Sequence, residues 1–216
     1  MEIYRFNHID ISIKYLIDSL LEKKTISFDT TIVSFGGGSS IISLSNYLSK
    51  INIKHILIVP DDLDNKKTDI LVNNKASLIR ATTMFGYNEL IDLAKDVSLE
   101  IENSYLINLL DTKISFKAYL NDLKKIINNY TFNNVIIPIG SGILIRSVSM
   151  YFKINTNCNI IGLLINNKYK FTLSNLNDEE IDFIEELNQM DIKYLDNKYP
   201  NSLLILEEGI YEDIKI

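Results

Sequence analysis

Cysteine, histidine and proline are scarce in this chain of 216 residues, and their scarcity excludes several kinds of site. Cys158 is the single cysteine, so no disulfide can form within the chain, and the expected compartment is the reducing cytoplasm. The two histidines, His8 and His55, lie far apart and outside any HxxxH or CxxC spacing, so we expect no metal site. We expect His55 to be a hydrogen-bonded structural residue, His8 to be exposed, and Cys158 to be a small buried residue.

Positive charge and long apolar runs are also limited. The net charge of −6 argues against general binding of nucleic acid, which needs a basic surface. No apolar run approaches the length that spans a membrane, and an N-terminus that carries Glu2, Arg5 and Asp10 is unlike a signal peptide. No proline- or glycine-rich linker divides the chain. We therefore expect a single α/β unit over residues 1–216, which could form two lobes at about 25–110 and about 111–216.

Glycine is infrequent, but three of the eight glycines are consecutive and follow a short apolar stretch. The sequence TTIVSFGGGSSIISLSNYL, residues 30–48, predicts a buried parallel strand, a tight turn at Gly36–Gly38 and a helix. Ser39 or Ser40 is the expected N-cap of that helix. We expect its buried stripe to include Leu44, Tyr47 and Leu48, while the serines at 43, 45 and 49 keep the other side small or polar. Free N–H groups at such a helix start attract a carboxylate or a phosphate.

A second segment of the same kind lies about a hundred residues later. The sequence NVIIPIGSGILIRSVSMYF, residues 134–152, again predicts a strand, a turn with Gly140 and Gly142, and a helix. Two such turns could hold the two ends of one small anionic molecule. From the residues alone, close packing of strand against helix explains Gly36–Gly38 about as well as ligand contact does.

Strands and helices alternate along the rest of the chain, which predicts right-handed βαβ units. The expected fold class is α/β, a mostly parallel twisted sheet with helices on both faces, in three αβα layers. Ligands bind such folds at the carboxyl ends of the strands, where both glycine turns fall. The predicted helices cover 9–23, 68–74, 87–101 and 115–130 and an acidic helix that starts at Asn177; the other predicted strands cover 54–59, 77–80, 105–109, 160–165 and 202–206.

Lys14 is the side chain whose position suggests covalent chemistry. It lies at the edge of the apolar stripe of the first helix, where partial burial would lower its pKa and free the amine to attack a carbonyl. A lysine that extends from a helix edge into solvent fits the pattern better.

The order of these motifs resembles a known family. Ser12-Ile13-Lys14, a helix, a strand, FGGGSS, a helix, ILIVP, then PIGSG, a helix and IIGLLI are similar to the pyridoxal-phosphate enzymes of the fold type II, tryptophan synthase β-like superfamily. The D-cysteine desulfhydrase, aminocyclopropane-carboxylate deaminase and cysteine synthase branches are nearest in appearance. The resemblance covers roughly residues 10–165.

The resemblance implies a role for each motif. Lys14 would bind pyridoxal 5'-phosphate as a Schiff base and act as the base on the substrate's α-proton. The turn and helix start of Gly37, Gly38, Ser39 and Ser40 would bind the substrate carboxylate, and the turn of Gly140, Ser141 and Gly142 would bind the cofactor phosphate. The family implies elimination or replacement at the β-carbon of a small amino acid, in a homodimer or with a complementing partner chain, without metal, membrane or nucleic acid.

The sequence also departs from the family pattern. Ile143 and Leu144 stand where the family has a glycine and a threonine, and Ser39 stands where an asparagine is expected. Both ends are shorter than in the family, and no motif assigns a partner for the pyridine nitrogen. Two alternatives therefore stay open: a degenerate, non-catalytic relative that serves as a partner or scaffold, and a domain that binds a small anion or a sugar phosphate.

Overall fold

The computed structural model describes residues 1–6, 9–82, 88–109, 112–140, 142–165 and 181–207. The chain divides into two compact units: unit 1 contains Met1–His8 and Leu110–Ile216, and unit 2 contains Ile9–Leu109. In the described ranges no helix is both long and apolar enough to span a membrane. In chain order the elements are β1 (Glu2–Phe6), α1 (Ile9–Glu22), β2 (Thr31–Phe35), α2 (Ser39–Lys50), β3 (His55–Pro60), α3 (Asn65–Asn73), β4 (Ser77–Ala81), α4 (Asn88–Glu100), β5 (Ser104–Ile107), α5 (Thr112–Asn129), β6 (Asn134–Pro138), α6 (Ile143–Asn155), β7 (Asn159–Ile165), β8 (Phe183–Leu187), α7 (Ile192–Lys198) and β9 (Ser202–Glu207).

Unit 2 is built on a four-stranded sheet in the order β4-β3-β2-β5. Every neighbouring pair is parallel, and the register pairs Ile32 with His55 and with Tyr105. The last four residues of β2 are all buried, as expected for a central strand covered on both faces. The chain runs from β2 outward through β3 to β4 and then returns to the other side of β2 for β5.

Unit 1 has a five-stranded, all-parallel sheet in the order β1-β9-β6-β7-β8. Its strands β6 to β9 repeat the order of unit 2, because the chain runs from β6 through β7 to β8 and returns to the other side of β6 for β9. The helices follow the same plan: α1 precedes β2 and packs on α2, while α5 precedes β6 and packs on α6. The two units thus share one topology, with β1 added beside β9 in unit 1.

Apolar residues cover both faces of the unit 1 sheet. On one face Val135 and Ile160 pack with residues of α5 and α6, including Leu123 and Phe152. On the other face the alternate strand residues, such as Ile136, pack with residues of α7. Successive side chains of a strand point to opposite faces, so this division gives a helix layer on each side of the sheet. The predicted three-layer α/β class is confirmed.

Most of the predicted elements are present within a few residues of their predicted bounds. The strands β1 and β8 and the helix α7 were not predicted. The expected start of the acidic helix, residues 177–180, lies outside the described residues, and Phe183–Leu187 is a strand. That strand forms an edge of its sheet and exposes Phe183 and Ile184, so its sequence lacks the apolar run of a buried parallel strand.

Two predictions for α2 are wrong. Gly38, not Ser39 or Ser40, is the N-cap, and no side chain bonds to the cap. Ser45 is fully buried rather than on a polar side. The reason is a hydrogen bond of 2.9 Å between its Oγ and Nε2 of His55, while Nδ1 of His55 lies 3.0 Å from the carbonyl oxygen of Ile53.

His55 is the buried, hydrogen-bonded structural residue that the sequence predicts. A carbonyl oxygen only accepts, so Nδ1 carries the proton and Nε2 accepts from the Ser45 hydroxyl. Burial lowers the pKa of His55, and the smaller effect of the hydrogen bond to Ile53 works against that shift. The ring is therefore neutral and joins β3 to α2.

A buried carboxylate fixes α7 to the edge of the unit 1 sheet. Glu185 of β8 accepts hydrogen bonds from the hydroxyls of Tyr194 and Tyr199, at 2.8 and 2.7 Å, and from Nζ of Lys198, at 2.6 Å. Burial would raise the pKa of Glu185, but the three hydrogen bonds together outweigh burial, so the pKa is lowered. Because this carboxylate is fully engaged within unit 1, it acts as a structural group.

Candidate functional site

Each glycine turn follows the strand at which the order of strand addition reverses, so that later strands are added on its other side. In unit 2 the chain continues from β2 to β3 on one side and places β5 on the other. In unit 1 the same reversal occurs at β6, with β7 and β9 on its two sides. Ligands of open parallel sheets bind at the carboxyl ends of the strands at such reversals. The topology therefore marks the first glycine turn, Gly36–Gly38, and the second glycine turn, Gly140–Gly142, as the candidate sites.

The first glycine turn is fixed on one side by β3. The amide of Gly36 donates a hydrogen bond of 2.9 Å to the carbonyl of Ile58, and Gly36 has a φ of 141°, which favours glycine. A Cβ on Gly37 would lie 3.0 and 3.1 Å from two ring carbons of Pro60. These two glycines are therefore needed for backbone conformation and for packing.

Gly38 has no such structural requirement. Its φ of −95° suits any residue, and a Cβ built there meets no atom within 4 Å. It is exposed, and it caps α2 without a side-chain hydrogen bond. The first N–H groups of a helix have no intrahelical partner, so Gly38, Ser39 and Ser40 present donors beside open space. This arrangement fits a carboxylate.

Lys67 contacts the first glycine turn, although no motif of the sequence singles this lysine out. Its Nζ donates a hydrogen bond of 3.3 Å to the carbonyl oxygen of Gly37 and lies 3.4 Å from Oδ2 of Asp64. Asp64 is also the N-cap of α3, where its side chain accepts from the amide of Lys67. Lys67 and Gly37 are thirty positions apart in sequence, so local spacing does not reveal their contact.

The second glycine turn has its own geometric requirement. Gly142 is buried, is the N-cap of α6 and has a φ of 87°, a left-handed conformation that favours glycine. No side chain caps this helix either. Gly140 is half-buried, and Ser141 lies outside the described residues. The donors described here are backbone N–H groups at a helix start, a set that fits a phosphate.

Leu144, one of the two departures from the family motif, is accounted for by core packing. Its side chain is 6% exposed and belongs to the apolar cluster of α5, α6 and the sheet. Ile139 and Ile145 of the same cluster lie against Gly162, where an added Cβ would be 2.8 Å from Ile139 and 3.3 Å from Ile145. Leu144 and Ile145, at the start of α6, therefore have a structural role.

Lys14 lies on α1 of unit 2, next to the buried residue Ile13. Its side chain is exposed, as the solvent-facing interpretation predicts. In the same motif the Ser12 hydroxyl is buried without a hydrogen-bond partner in the described part of the chain. Lys14 and the first glycine turn belong to unit 2, whereas the second glycine turn belongs to unit 1.

Cysteine and histidine add no candidate site within the described part of the chain. Cys158 is buried, as predicted, and its burial raises the pKa of the thiol, which makes it a poor nucleophile. His8 lies outside the described residues. Over the described ranges, no group of three or more His, Cys, Asp and Glu side chains could hold a metal ion.

Comparison with known proteins agrees with this fold. No family model matches the chain. A segment of 93 residues, 43% of the chain, is 26% identical to cysteine synthase B from Campylobacter jejuni and spans only 31% of that protein. The match thus covers about a third of that relative's length.

Solved structures match over nearly the whole chain. The O-acetylserine dependent cystathionine beta-synthase from Helicobacter pylori has a TM-score of 0.74 at 19% identity, covering 97% of this chain and 85% of its own. A hydrogen sulfide-producing enzyme, solved with an alpha-aminoacrylate intermediate, has a TM-score of 0.72 at 16% identity and 93% and 75% coverage. An O-ureido-L-serine synthase has a TM-score of 0.73 at 10% identity and 93% and 78% coverage.

These likenesses concern the fold and confirm the resemblance found in the sequence. By its fold, the chain is similar to these solved synthases and to the hydrogen sulfide-producing enzyme, in agreement with the fold type II, tryptophan synthase β-like resemblance of its sequence.

Proposed function

We propose that the protein is a pyridoxal-phosphate-dependent lyase or β-replacement enzyme that acts on a small amino acid. The observation that supports this function best is the repeated topology. In each unit a helix begins after the strand at which the strand order reverses. Neither helix start has a side-chain cap, and Gly38 and Gly142 place no side chain there. A reaction that needs one donor set for a phosphate and another for a carboxylate fits two such turns.

Unit 2 would handle the amino acid. The N–H groups of Gly38, Ser39 and Ser40 would bind its carboxylate and fix its orientation. The Lys14 amine would hold the cofactor covalently and, once released, would take the proton from the substrate's α-carbon. The Ser12 hydroxyl, two residues away, has no hydrogen-bond partner among the described residues and is a polar group at this end of α1.

Unit 1 would hold the phosphate. The N–H groups of Gly140, Ser141 and Gly142, with the start of α6, would bind its oxygens through a backbone donor set aided by the helix dipole. When bound, pyridoxal phosphate supplies a conjugated ring that takes up negative charge from the substrate's α-carbon. We also propose a homodimer, as the family resemblance implies, and a cytoplasmic location, as the single cysteine suggests; light scattering of the purified protein measures the dimer directly.

One observation favours a second candidate function. The side chain of Lys14 is exposed, as expected of a lysine that extends from a helix edge into solvent. A non-catalytic relative that keeps the fold as a partner or scaffold would have the same exposed lysine. The two candidates differ in whether the purified protein binds the cofactor covalently.

Covalent trapping of the cofactor separates these candidates. The purified protein is mixed with pyridoxal phosphate, reduced with borohydride and digested, and the modified lysine is identified by mass spectrometry. We expect modification at Lys14, together with a visible absorbance band that Lys14→Ala removes. Bound cofactor also raises the free energy of unfolding, by about 2.7 kcal/mol at a concentration of 100 Kd, which thermal unfolding would detect.

Lys23→Ala provides the matched control, because Lys23 is another exposed lysine close to the end of α1. This variant should keep the absorbance band and the modification at Lys14. Modification of a different lysine would contradict the role of Lys14. A protein that stays colourless and thermally unshifted would support the non-catalytic candidate.

A further inference from the structure

The contact between Lys67 and the first glycine turn suggests a role beyond those assigned above. We propose that Lys67 is a positioning residue that fixes the peptide group between Gly37 and Gly38, so that the Gly38 N–H is held toward the carboxylate of an α-amino acid. This inference rests on the proposed function, because it concerns the turn to which substrate binding was assigned.

The peptide group between Gly37 and Gly38 has its carbonyl oxygen on one side and its N–H on the other. The carbonyl oxygen that Lys67 contacts, at 3.3 Å, belongs to Gly37, and the N–H of the same planar unit belongs to Gly38. In a trans peptide these two bonds point in opposite directions. A cation that holds the oxygen on the α3 side therefore directs the N–H to the opposite side of the peptide plane.

This peptide group needs such a restraint. Both of its flanking residues are glycines, so rotation of the group meets no Cβ on either side. Gly37 is packed against Pro60, but Gly38 has open space around it. Side-chain packing at Gly38 thus cannot select the orientation of the amide, and the hydrogen bond from Lys67 can.

Lys67 would also strengthen the donor. Hydrogen bonds in a chain polarise one another, by about 10–30% per bond, so a cation on the carbonyl oxygen makes the N–H of the same unit a better donor. Asp64 keeps the ammonium group in place, since its carboxylate oxygen Oδ2 lies 3.4 Å from Nζ while the side chain caps α3. The Lys67 side chain is 41% exposed, so it remains accessible and is not part of the core.

The first test examines the turn without ligand. Labelling with ¹⁵N-glycine gives at most eight amide signals, and Gly38→Ala identifies the signal of Gly38. We expect Lys67→Met to shift the Gly38 signal more than any other glycine signal and Lys67→Arg to restore most of it. Lys66→Met is the matched control, because Lys66 is the exposed neighbouring lysine on α3, and it should leave the spectrum unchanged. A Gly38 signal whose chemical shift is unchanged in Lys67→Met would overturn the inference.

The second test measures binding of L-serine to the protein reconstituted with pyridoxal phosphate. We expect Lys67→Met to weaken L-serine binding by about three- to tenfold, the loss typical of one weakened hydrogen bond to a charged group. The cofactor absorbance and the thermal midpoint should stay as in the native protein, and Lys67→Arg should recover most of the affinity. Native affinity in Lys67→Met, with the cofactor bound, would refute the inference and leave the proposed function standing. If the native protein binds no cofactor, the proposed function fails, and the glycine spectra decide the inference.

Discussion

At the scale of single residues, the three adjacent glycines of the first turn have different reasons to lack a side chain. Gly36 has a positive φ, and Gly37 lies against the Pro60 ring. Gly38 has neither constraint, because its backbone conformation is ordinary and its surroundings are open. The structure therefore separates Gly36 and Gly37, where the fold requires glycine, from Gly38, where the fold imposes no such requirement.

This distinction gives a paired prediction. Gly38→Ala should change the free energy of unfolding by less than about 0.5 kcal/mol and should abolish most L-serine binding, since the added methyl group occupies the ligand's space. Gly37→Ala should lower the free energy of unfolding by about 1–3 kcal/mol, because its Cβ overlaps a rigid proline ring. Urea denaturation and L-serine titration measure the two effects. If Gly38→Ala is as destabilising as Gly37→Ala, the open space at Gly38 is not a ligand site.

The sequence predicted the glycine turns but not the residues around them. Consecutive glycines between an apolar strand and an amphipathic helix form a local pattern, which the sequence shows without any knowledge of the strand order. The contact of Lys67 with Gly37 brings α3 to the first glycine turn, and α2 and β3 separate the two in sequence, so the contact depends on strand order. The roles of Lys14 and of the Gly140–Gly142 turn remain predictions, because they concern a bound group.

At the scale of secondary-structure elements, β3 and α2 are joined by the pair of His55 and Ser45. The neutral ring is fully buried and satisfied by one donor and one acceptor. Protonation of Nε2 would place a second N–H of His55 opposite the Ser45 hydroxyl, which donates to the neutral ring, and would put a positive charge in an apolar environment. The pair therefore links the stability of unit 2 to pH.

The sign of this link follows from the lowered pKa of His55. Below the ordinary value of about 6.5, the unfolded chain binds a proton that the folded chain resists, so stability is present above that pH and decreases as pH falls toward the folded pKa. We expect native unit 2 to lose stability between neutral and mildly acidic pH, and His55→Gln to lose less over the same range. At neutral pH His55→Gln should itself cost about 1–3 kcal/mol. Denaturation curves at several pH values measure both effects; equal pH dependence in the two proteins would contradict a neutral His55.

The elements that the sequence did not predict share a physical cause. In the edge strand β8 only Glu185 is buried, and the other four residues are exposed or half-buried; α7 has only seven residues. Short and exposed elements depend on tertiary partners, such as Lys198 and Tyr199 for this carboxylate. The central strands were predicted because β-branched runs covered on both faces are distinctive.

At the scale of the whole molecule, the two units repeat one strand order. Unit 2 is a continuous segment, whereas unit 1 is assembled from Met1–His8 and Leu110–Ile216. Buried residues such as Ile32, Leu57 and Leu90 give unit 2 apolar contacts of its own. A segment of about 100 residues is long enough to form an independent domain.

Residues 9–109 should accordingly fold as a separate protein. We expect circular dichroism of this fragment to show helix and strand, with one cooperative thermal transition. The full-length protein measured in parallel is the control, and Leu57→Ala in the fragment should lower the midpoint because it opens a cavity worth about 2–5 kcal/mol. A fragment without a cooperative transition would show that unit 2 requires the rest of the chain.

The continuity of unit 2 has a consequence for how such a protein can be altered. One continuous gene segment, for residues 9–109, encodes the whole of unit 2, including Lys14, the three adjacent glycines and Lys67. Under the proposed function, exchanging this segment with the corresponding part of a relative should transfer amino-acid selectivity, while the unit that contains the second glycine turn keeps its own sequence.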